Sequence, residues 1–266
     1  MLKIKNGVLN VGEDSFDYIQ FGLGERDLVV IPGLGDGIVT VKNKALPGIF
    51  MFHDYVRRFR ITLISRKQNL EEDADTCTMA DDQVKAMKAL GIDKACVVGV
   101  SLGGMIAQHL AADYPEMVEK LVLVVTVPKG NEMLTLNVKR WMKYAVEGKY
   151  KKLMVDINEK AHPDEYLKHV KWTYPVLGRM AKKMDRERFY IQAKSCITHD
   201  AMDKLTYIDA PTLIIGGEED ETLGMEGSYS LAEEIWECKL KCFEHQGHAL
   251  YEDEKDFHRV VLRFLK

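Results

Sequence analysis

Short runs of β-branched and other apolar residues recur along the chain, separated by longer stretches in which apolar positions return every three or four residues. The runs at 16–22 (FDYIQFG), 27–33 (DLVVIPG), 60–66 (RITLISR), 95–100 (ACVVGV), 120–127 (KLVLVVTV), 211–217 (PTLIIGG) and 239–245 (KLKCFEH) predict strands. Most of them lack polar alternation, the pattern of strands covered on both faces. Between them, 79–90, 102–114, 229–237 and 253–265 predict amphipathic helices. This alternation predicts an α/β architecture: a mostly parallel sheet of eight strands flanked by helices, with the leading 2–22 segment antiparallel.

The rhythm breaks between 128 and 207, where only helical patterns are found, among them LNVKRWMKYAVEG, KYKKLMVDINEKA and DEYLKHVKWTYPVLGRMAKKM. A helical insertion between two strands of one sheet predicts a core domain of 1–127 and 208–266. The inserted 128–207 would be a lid over the carboxyl ends of the strands, where ligands bind in open α/β sheets. This insertion holds 17 Lys+Arg against 10 Asp+Glu, whereas the rest of the chain holds 20 against 31. Solvated helix faces are the plain reading of that excess. Steering of an anionic substrate, or docking onto the acidic core, is the sharper one.

Composition narrows the function classes. A formal net charge of -4 over 266 residues gives nothing that favours nucleic acid as the main partner, so a small-molecule or protein substrate is expected. The N-terminus has no apolar run behind its basic residues, and no segment approaches the ~18 apolar residues of a membrane span, so a cytoplasmic protein is expected. Five cysteines, odd in number and scattered, suit reduced thiols. Cys238 and Cys242 have no histidines at zinc-finger spacing, and neither a metal nor an organic cofactor is expected. Oligomeric state is not readable.

The stretch VVGVSLGG carries the chemistry. Ser101 stands between a predicted strand and a predicted helix, with Gly99 and Gly103 two residues to either side. A serine hydroxyl is a poor nucleophile unless a base stands beside it and the backbone exposes its oxygen. A sharp strand-to-helix turn provides the exposure, needs small flanking residues, and aims the N–H of Leu102 at charge developing near the serine. "GVSLGG" resembles the nucleophile elbow of the α/β-hydrolase fold family, in its lid-bearing serine esterase, lactonase and carbon–carbon hydrolase branch. The resemblance covers about 16–127 and 208–265.

That resemblance implies triad partners in the order serine, acid, histidine. Asp220, three residues after Gly217 in PTLIIGGEEDETLG, is the implied acid; Glu218, Glu219 and Glu221 are rivals, Glu219 first among them. In FEHQGHALYEDEKDF the implied base is His248, preceded by Gly247, with His245 as the alternative. The glycine-rich loop IPGLGDG (31–37) implies an oxyanion hole formed by the backbone N–H groups of Leu34 and Leu102, Gly33 allowing close approach. Two departures stand out. Pro32-Gly33 replaces the family's His-Gly, which leaves the anchoring of the loop open. KQNLEEDADTCT replaces a glycine-rich loop at the pocket mouth, implying a different access route, and Arg66 before it reads as a salt-bridged surface residue, with contact to the substrate as the alternative.

The expected reaction is transfer of an acyl group to water through a Ser101 ester, with Asp220 orienting His248. A small carboxylic ester is the first choice of substrate. A lactone, a thioester or a carbon–carbon bond beside a ketone would use the same groups. An aspartate nucleophile is disfavoured by Ser101 itself. A non-catalytic ligand-binding module is the alternative of another class. Trp141, Tyr144, Trp172, Tyr174 and the methionines of the insertion lie at helical spacing and are expected in the core rather than in the pocket.

Overall fold

The computed structural model describes residues 3–266 apart from 171, 173 and 183. β1 (Lys3–Val11) and β2 (Asp14–Gly22) form an antiparallel hairpin. β3 (Arg26–Ile31) is followed by the short α1 (Ala45–Met51) and by β4 (Phe59–Ile64). Then α2 (Thr76–Ala89), β5 (Ala95–Val100), α3 (Leu102–Asp113) and β6 (Val118–Val124) alternate. The insertion contributes α4 (Glu132–Val146), α5 (Tyr150–Ala161), α6 (Asp164–Val170), α7 (Tyr174–Ala181) and α8 (Arg186–Thr198). β7 (Thr212–Gly217), α9 (Glu226–Glu234), β8 (Cys238–Phe243), α10 (Leu250–Asp253) and α11 (Phe257–Leu265) complete the chain.

The eight strands form one sheet in the order β1-β2-β4-β3-β5-β6-β7-β8. β2 pairs antiparallel with β4, and from β4 onward every pair is parallel. The near-continuous apolar runs follow from the layering. Val29, Ile31, Val97, Leu121 and Leu123 pack with Met79, Val84, Ile106 and Leu110 of α2 and α3 on one face. Their strand neighbours Leu28, Val30, Val98, Val122 and Ile215 pack with Ala45, Tyr55, Phe257 and Val261 on the other. Both faces are covered, so alternate residues are equally apolar.

Two differences from the expected elements have local causes. α1 contains Pro47-Gly48, which reads as a turn, but a proline in the first helical turn lacks only an N–H that has no intrahelical partner. Gly48 lets α1 lie on the sheet, where a Cβ would stand 3.1 Å from the Phe21 ring. The expected 253–265 helix is two, α10 and α11. Between them Glu254 is extended at ψ 115°, and its carboxylate accepts from the N–H of Asp256 at 2.9 Å.

Between β6 and β7 the described residues contain no strand, only an isolated bridge, Lys129 with Asp200, beside the five α-helices and a 3-10 helix at Met202–Tyr207. Asn131 caps α4 by accepting from the N–H of Leu134 at 2.8 Å, and Asp185 caps α8 by accepting from that of Arg188 at 3.1 Å. Several of the basic residues of this region meet acids of the sheet domain: Arg188 with Asp36 at 2.6 Å, Lys160 with Glu221 at 2.5 Å and Lys204 with Asp113 at 2.6 Å. All five cysteines are free, and no helix among the described residues is long and apolar enough to cross a membrane.

At the end of α8, His199 is buried with Nδ1 2.9 Å from the Thr76 hydroxyl and its ring edge-on to His109, 5.4 Å between centroids. Burial, with the His109 charge adding to it, pushes the His199 pKa down to about 3. Unfolded, the group titrates near ~6.5. Below that pH the unfolded chain binds the extra proton, so this histidine makes stability fall as pH drops from about 6.5 toward about 3, by at most ~1.4 kcal/mol per pH unit. His199→Asn should flatten the decline of the urea midpoint between pH 7 and 5; an unchanged slope would show that His199 does not drive it.

Candidate active site

Ser101 sits in the turn between β5 and α3 with φ 53° and ψ -119°, outside the regions an L-residue adopts without strain. The surroundings hold it there. Its N–H donates to the Val124 carbonyl at 2.9 Å, and its own carbonyl accepts from the Gly104 N–H at 2.8 Å and the Thr126 hydroxyl at 2.9 Å. The two flanking glycines are required for space: a Cβ on Gly99 would lie 2.5 Å from the Gly103 carbonyl oxygen, and one on Gly103 would lie 2.0 Å from that of Ile31. The turn that carries Ser101 is thereby pressed against the end of β3.

The three residues expected to work together are brought together. His248 Nε2 lies 2.9 Å from Ser101 Oγ, and His248 Nδ1 lies 2.7 Å from Asp220 Oδ2. A carboxylate only accepts, so Nδ1 carries the proton and Nε2 is left to accept from the serine hydroxyl. Asp220 is buried at the end of β7, its Oδ1 accepting from the N–H groups of Thr222 at 2.8 Å and Leu223 at 3.1 Å. This leaves Oδ2 aimed at the imidazole. The acid and base loops meet closely, since Gly217 has no room for a Cβ beside the Gln246 carbonyl, and the Glu219 N–H donates to that carbonyl at 2.9 Å. The rivals are engaged elsewhere: Glu219 binds exposed His245 at 3.1 Å and raises its pKa, and Glu221 binds Lys160.

The loop after β3 lies against Ser101, where a Cβ on Gly33 would be 3.3 Å from that of the serine. The N–H groups of Leu34 and Leu102 donate to no protein acceptor among the described hydrogen bonds. What anchors the loop without the family's histidine is Arg66. Contrary to the surface role expected for it, this residue is buried to 1% exposure, and its guanidinium donates to the carbonyls of Pro32 and Gly33 and to Gln192 Oε1. Asp36, in the same loop, lies 3.4 Å from Arg66 and 2.6 Å from Arg188 of α8, which also donates to the Asp36 and Arg66 carbonyls. Burial pushes the Asp36 pKa up, but Arg66 and Arg188 outweigh it and hold it below the usual carboxylate range. A fork of donors in fixed geometry is what a lone arginine offers two carbonyls. The signal was present in the sequence only as an arginine at a strand end.

The cavity at Ser101 and His248 has a volume of about 480 Å³ and is mainly apolar. Val30, Leu63, Val98 and Val100 of the sheet line one side; Leu134, Val138 and Trp141 of α4, Met154 and Ile157 of α5 and Cys196 of α8 line another. Trp141 is buried in the core as expected and also lines the cavity, and Met154 lines it too. Trp172 is exposed, Tyr144 packs against the core, and no residue of the 67–78 loop lines the cavity. The distinct access route implied for that loop finds no support in the lining.

Helices of the insertion also clamp the acid loop, which no sequence pattern announced. Asn131 donates to the Leu223 carbonyl at 2.6 Å, and Asn137 donates to those of Glu221 at 2.8 Å and Thr222 at 2.9 Å. The carbonyls closing α5 accept from the Thr222 hydroxyl and the Ala249 N–H. Asn137→Ala should cost about 1–3 kcal/mol, the range for leaving buried groups unpaired. Its kcat should fall severalfold as the loop carrying Asp220 loosens; a urea midpoint and kcat both equal to wild type would show that the clamp is dispensable.

Outside the cavity lining, Cys77, His109 and Asp113 bring one metal-ligating atom each within 4.8 Å of one another. The Lys204 ammonium already supplies a cation there, 2.6 Å from Asp113 and 3.5 Å from the Cys77 sulfur.

Comparison with known proteins agrees with this architecture. The 2-hydroxy-6-oxononadienedioate/2-hydroxy-6-oxononatrienedioate hydrolase of Burkholderia vietnamiensis is 27% identical over 97% of this chain and 94% of its own. Among solved structures, MGS-M2, an alpha/beta hydrolase enzyme from a Medee basin deep-sea metagenome library, superposes with a TM-score of 0.86 at 23% identity, covering 97% of each chain. The enol-lactonase from Burkholderia xenovorans LB400 superposes with a TM-score of 0.81 at 17% identity, over 97% of this chain and 99% of its own. The family model for the alpha/beta hydrolase fold matches residues 29–255, so the chain belongs to the α/β-hydrolase fold family.

Proposed function

We propose that this chain is a serine hydrolase acting on a carbonyl group of a small, largely apolar substrate. The observation that carries the reading is the continuous hydrogen-bonded line from Asp220 through His248 to Ser101, ending at the wall of an apolar cavity. Ser101 Oγ attacks the carbonyl carbon as His248 Nε2 takes its proton, and Asp220 holds the imidazole in place. The backbone N–H groups of Leu34 and Leu102 receive the oxyanion, with the N-terminus of α3 adding its positive end. His248 returns the proton to the leaving group, and a water activated in the same way releases the acyl group from Ser101. Residues 128–207 act as the lid, 1–127 and 208–266 as the catalytic core; α4, α5 and α8 exclude water from the reacting atoms.

Two readings of the broken bond compete, and the relatives move the balance from the ester toward carbon–carbon cleavage. A 2-hydroxy-6-oxo dienedioate, the compound in the Burkholderia vietnamiensis enzyme's name, has no ester or amide, so its hydrolysis must break a carbon–carbon bond beside the ketone. The electron pair of the broken bond is then carried by a conjugated dienol acid. An ester or lactone is the second reading, favoured by the structural likeness to an enol-lactonase and by a triad that is sufficient for it. A panel of a 4-nitrophenyl ester, a lactone and a 2-hydroxy-6-oxo-hexadienoate, assayed with a fluorophosphonate probe of Ser101, separates these. Labelling with turnover of the dienoate supports the first, labelling with turnover of ester or lactone alone supports the second, and absence of labelling would make the chain a binding module.

A further inference from the structure

The cavity beside Ser101 is apolar over most of its wall, yet it carries an ammonium with no carboxylate partner among the described residues. Lys44 stands immediately before α1, half-buried, with Nζ 3.1 Å from the Val39 carbonyl oxygen. An ammonium has three donors, and that carbonyl takes one. Asp36 acts on Lys44 through its field but is bonded to Arg66 and Arg188. Glu252, the other acid of the lining apart from Asp36, is exposed and has interactions of its own. Three cations, Arg66, Arg188 and Lys44, thus surround the buried carboxylate of Asp36, and of these three only Lys44 lacks an ion-pair partner among the described residues. Burial lowers the Lys44 pKa, the direction expected of a cation short of solvent. Such a charge is costly beside an apolar cavity unless an anion joins it.

We propose that Lys44 is the recognition point for a carboxylate on the substrate, so that the preferred substrates are small organic acids bearing the scissile carbonyl at one end and an anionic group at the other. This rests on the reading of Ser101 as nucleophile and narrows the substrate class of that site. The excess positive charge of the oxyanion-loop side would draw the carboxylate inward, and the aliphatic wall would take the chain between the two ends.

The test compares 4-nitrophenyl hydrogen glutarate with 4-nitrophenyl hexanoate, acyl groups of similar length that differ in charge. Wild-type protein should favour the glutarate ester in kcat/KM, the preference residing mainly in KM. Lys44→Met should lower the ratio of the two specificity constants by about tenfold or more, the effect of one hydrogen bond to a charged group. Lys44→Arg should keep most of the ratio. A ratio unchanged by Lys44→Met, or a wild-type preference for hexanoate, would overturn the proposal. Calorimetry of free glutarate with Ser101→Ala protein, with and without Lys44→Met, gives a readout independent of turnover. Binding that depends on Lys44 in a wild type that neither turns over any substrate of the panel nor takes the fluorophosphonate label would remove the hydrolase reading and leave the carboxylate site. Hydrolysis without Lys44-dependent binding would do the reverse.

Discussion

Ser101→Ala is expected to lower kcat/KM on any substrate of this site by about 10⁴- to 10⁶-fold, the range seen when a serine nucleophile is removed and only binding and oxyanion contacts remain. The change should leave the fold intact. The strained backbone at this position is held by hydrogen bonds of the main chain to Val124, Gly104 and Thr126, none of which involves Oγ. The hydroxyl's one described partner is His248 Nε2 at 2.9 Å, so thermal unfolding should shift by no more than a few degrees. The measurement is kcat/KM on the best substrate of the panel, with far-ultraviolet circular dichroism and fluorophosphonate labelling alongside. Activity within tenfold of wild type would mean that another group makes the attack.

Arg66→Met is the second large effect, and it should appear in rate and stability together. The substitution keeps the length of the side chain but removes the donors to Pro32, Gly33 and Gln192 and one of the two arginines paired with Asp36. Breaking a buried ionic network from one side costs about 3–5 kcal/mol. The loop that carries the Leu34 N–H would lose its anchor, and kcat should fall about 10²-fold with a smaller change in KM, as when one oxyanion donor is lost. Arg66→Lys should fall between, because an ammonium keeps the charge but cannot span two carbonyls. Acid sensitivity gives a further readout. Asp36 has its folded pKa depressed, so its contribution is present above the unfolded value of ~3.9 and is lost as pH falls through the folded one. With Arg66 gone the folded value rises toward the unfolded one and that contribution shrinks, so the variant should start from a lower urea midpoint at neutral pH and lose less of it on acidification than wild type does. A variant with wild-type kcat and a lower midpoint would make Arg66 structural only.

Much of the fold was legible because a strand buried on both faces must be apolar at every position, and runs such as ACVVGV and PTLIIGG have that character wherever they are read. Helix α1 was not, because Pro47-Gly48 has the local chemistry of a turn and becomes helical only against the β2 ring of Phe21. The order Ser101, Asp220, His248 came from the resemblance, and local sequence contributed the strand ends just past which each residue stands. The choice of Asp220 over Glu219 and of His248 over His245 depended on resemblance, and in the structure the two rivals bind each other at the surface.

What joins distant parts of the chain had no such local mark. Arg66 is separated by 34 residues from the carbonyl of Pro32 and by 126 from Gln192, and Asn137 reaches 85 residues to the Thr222 carbonyl. A buried arginine and an exposed one have the same neighbours in sequence; only the packing that removes water decides which it is. The strand-to-helix turn at Ser101 and the parallel sheet follow from local rules of space and periodicity that the chain carries at each point, while the candidate acid and base came from the resemblance. The anchoring of the oxyanion loop, the clamp on the acid loop, the placement of Trp141 and Met154 on the cavity wall and the unpaired charge of Lys44 were settled only when α4, α5 and α8 closed over the sheet, because hydrogen bonds and ion pairs across long sequence separations are chosen by burial and not by spacing.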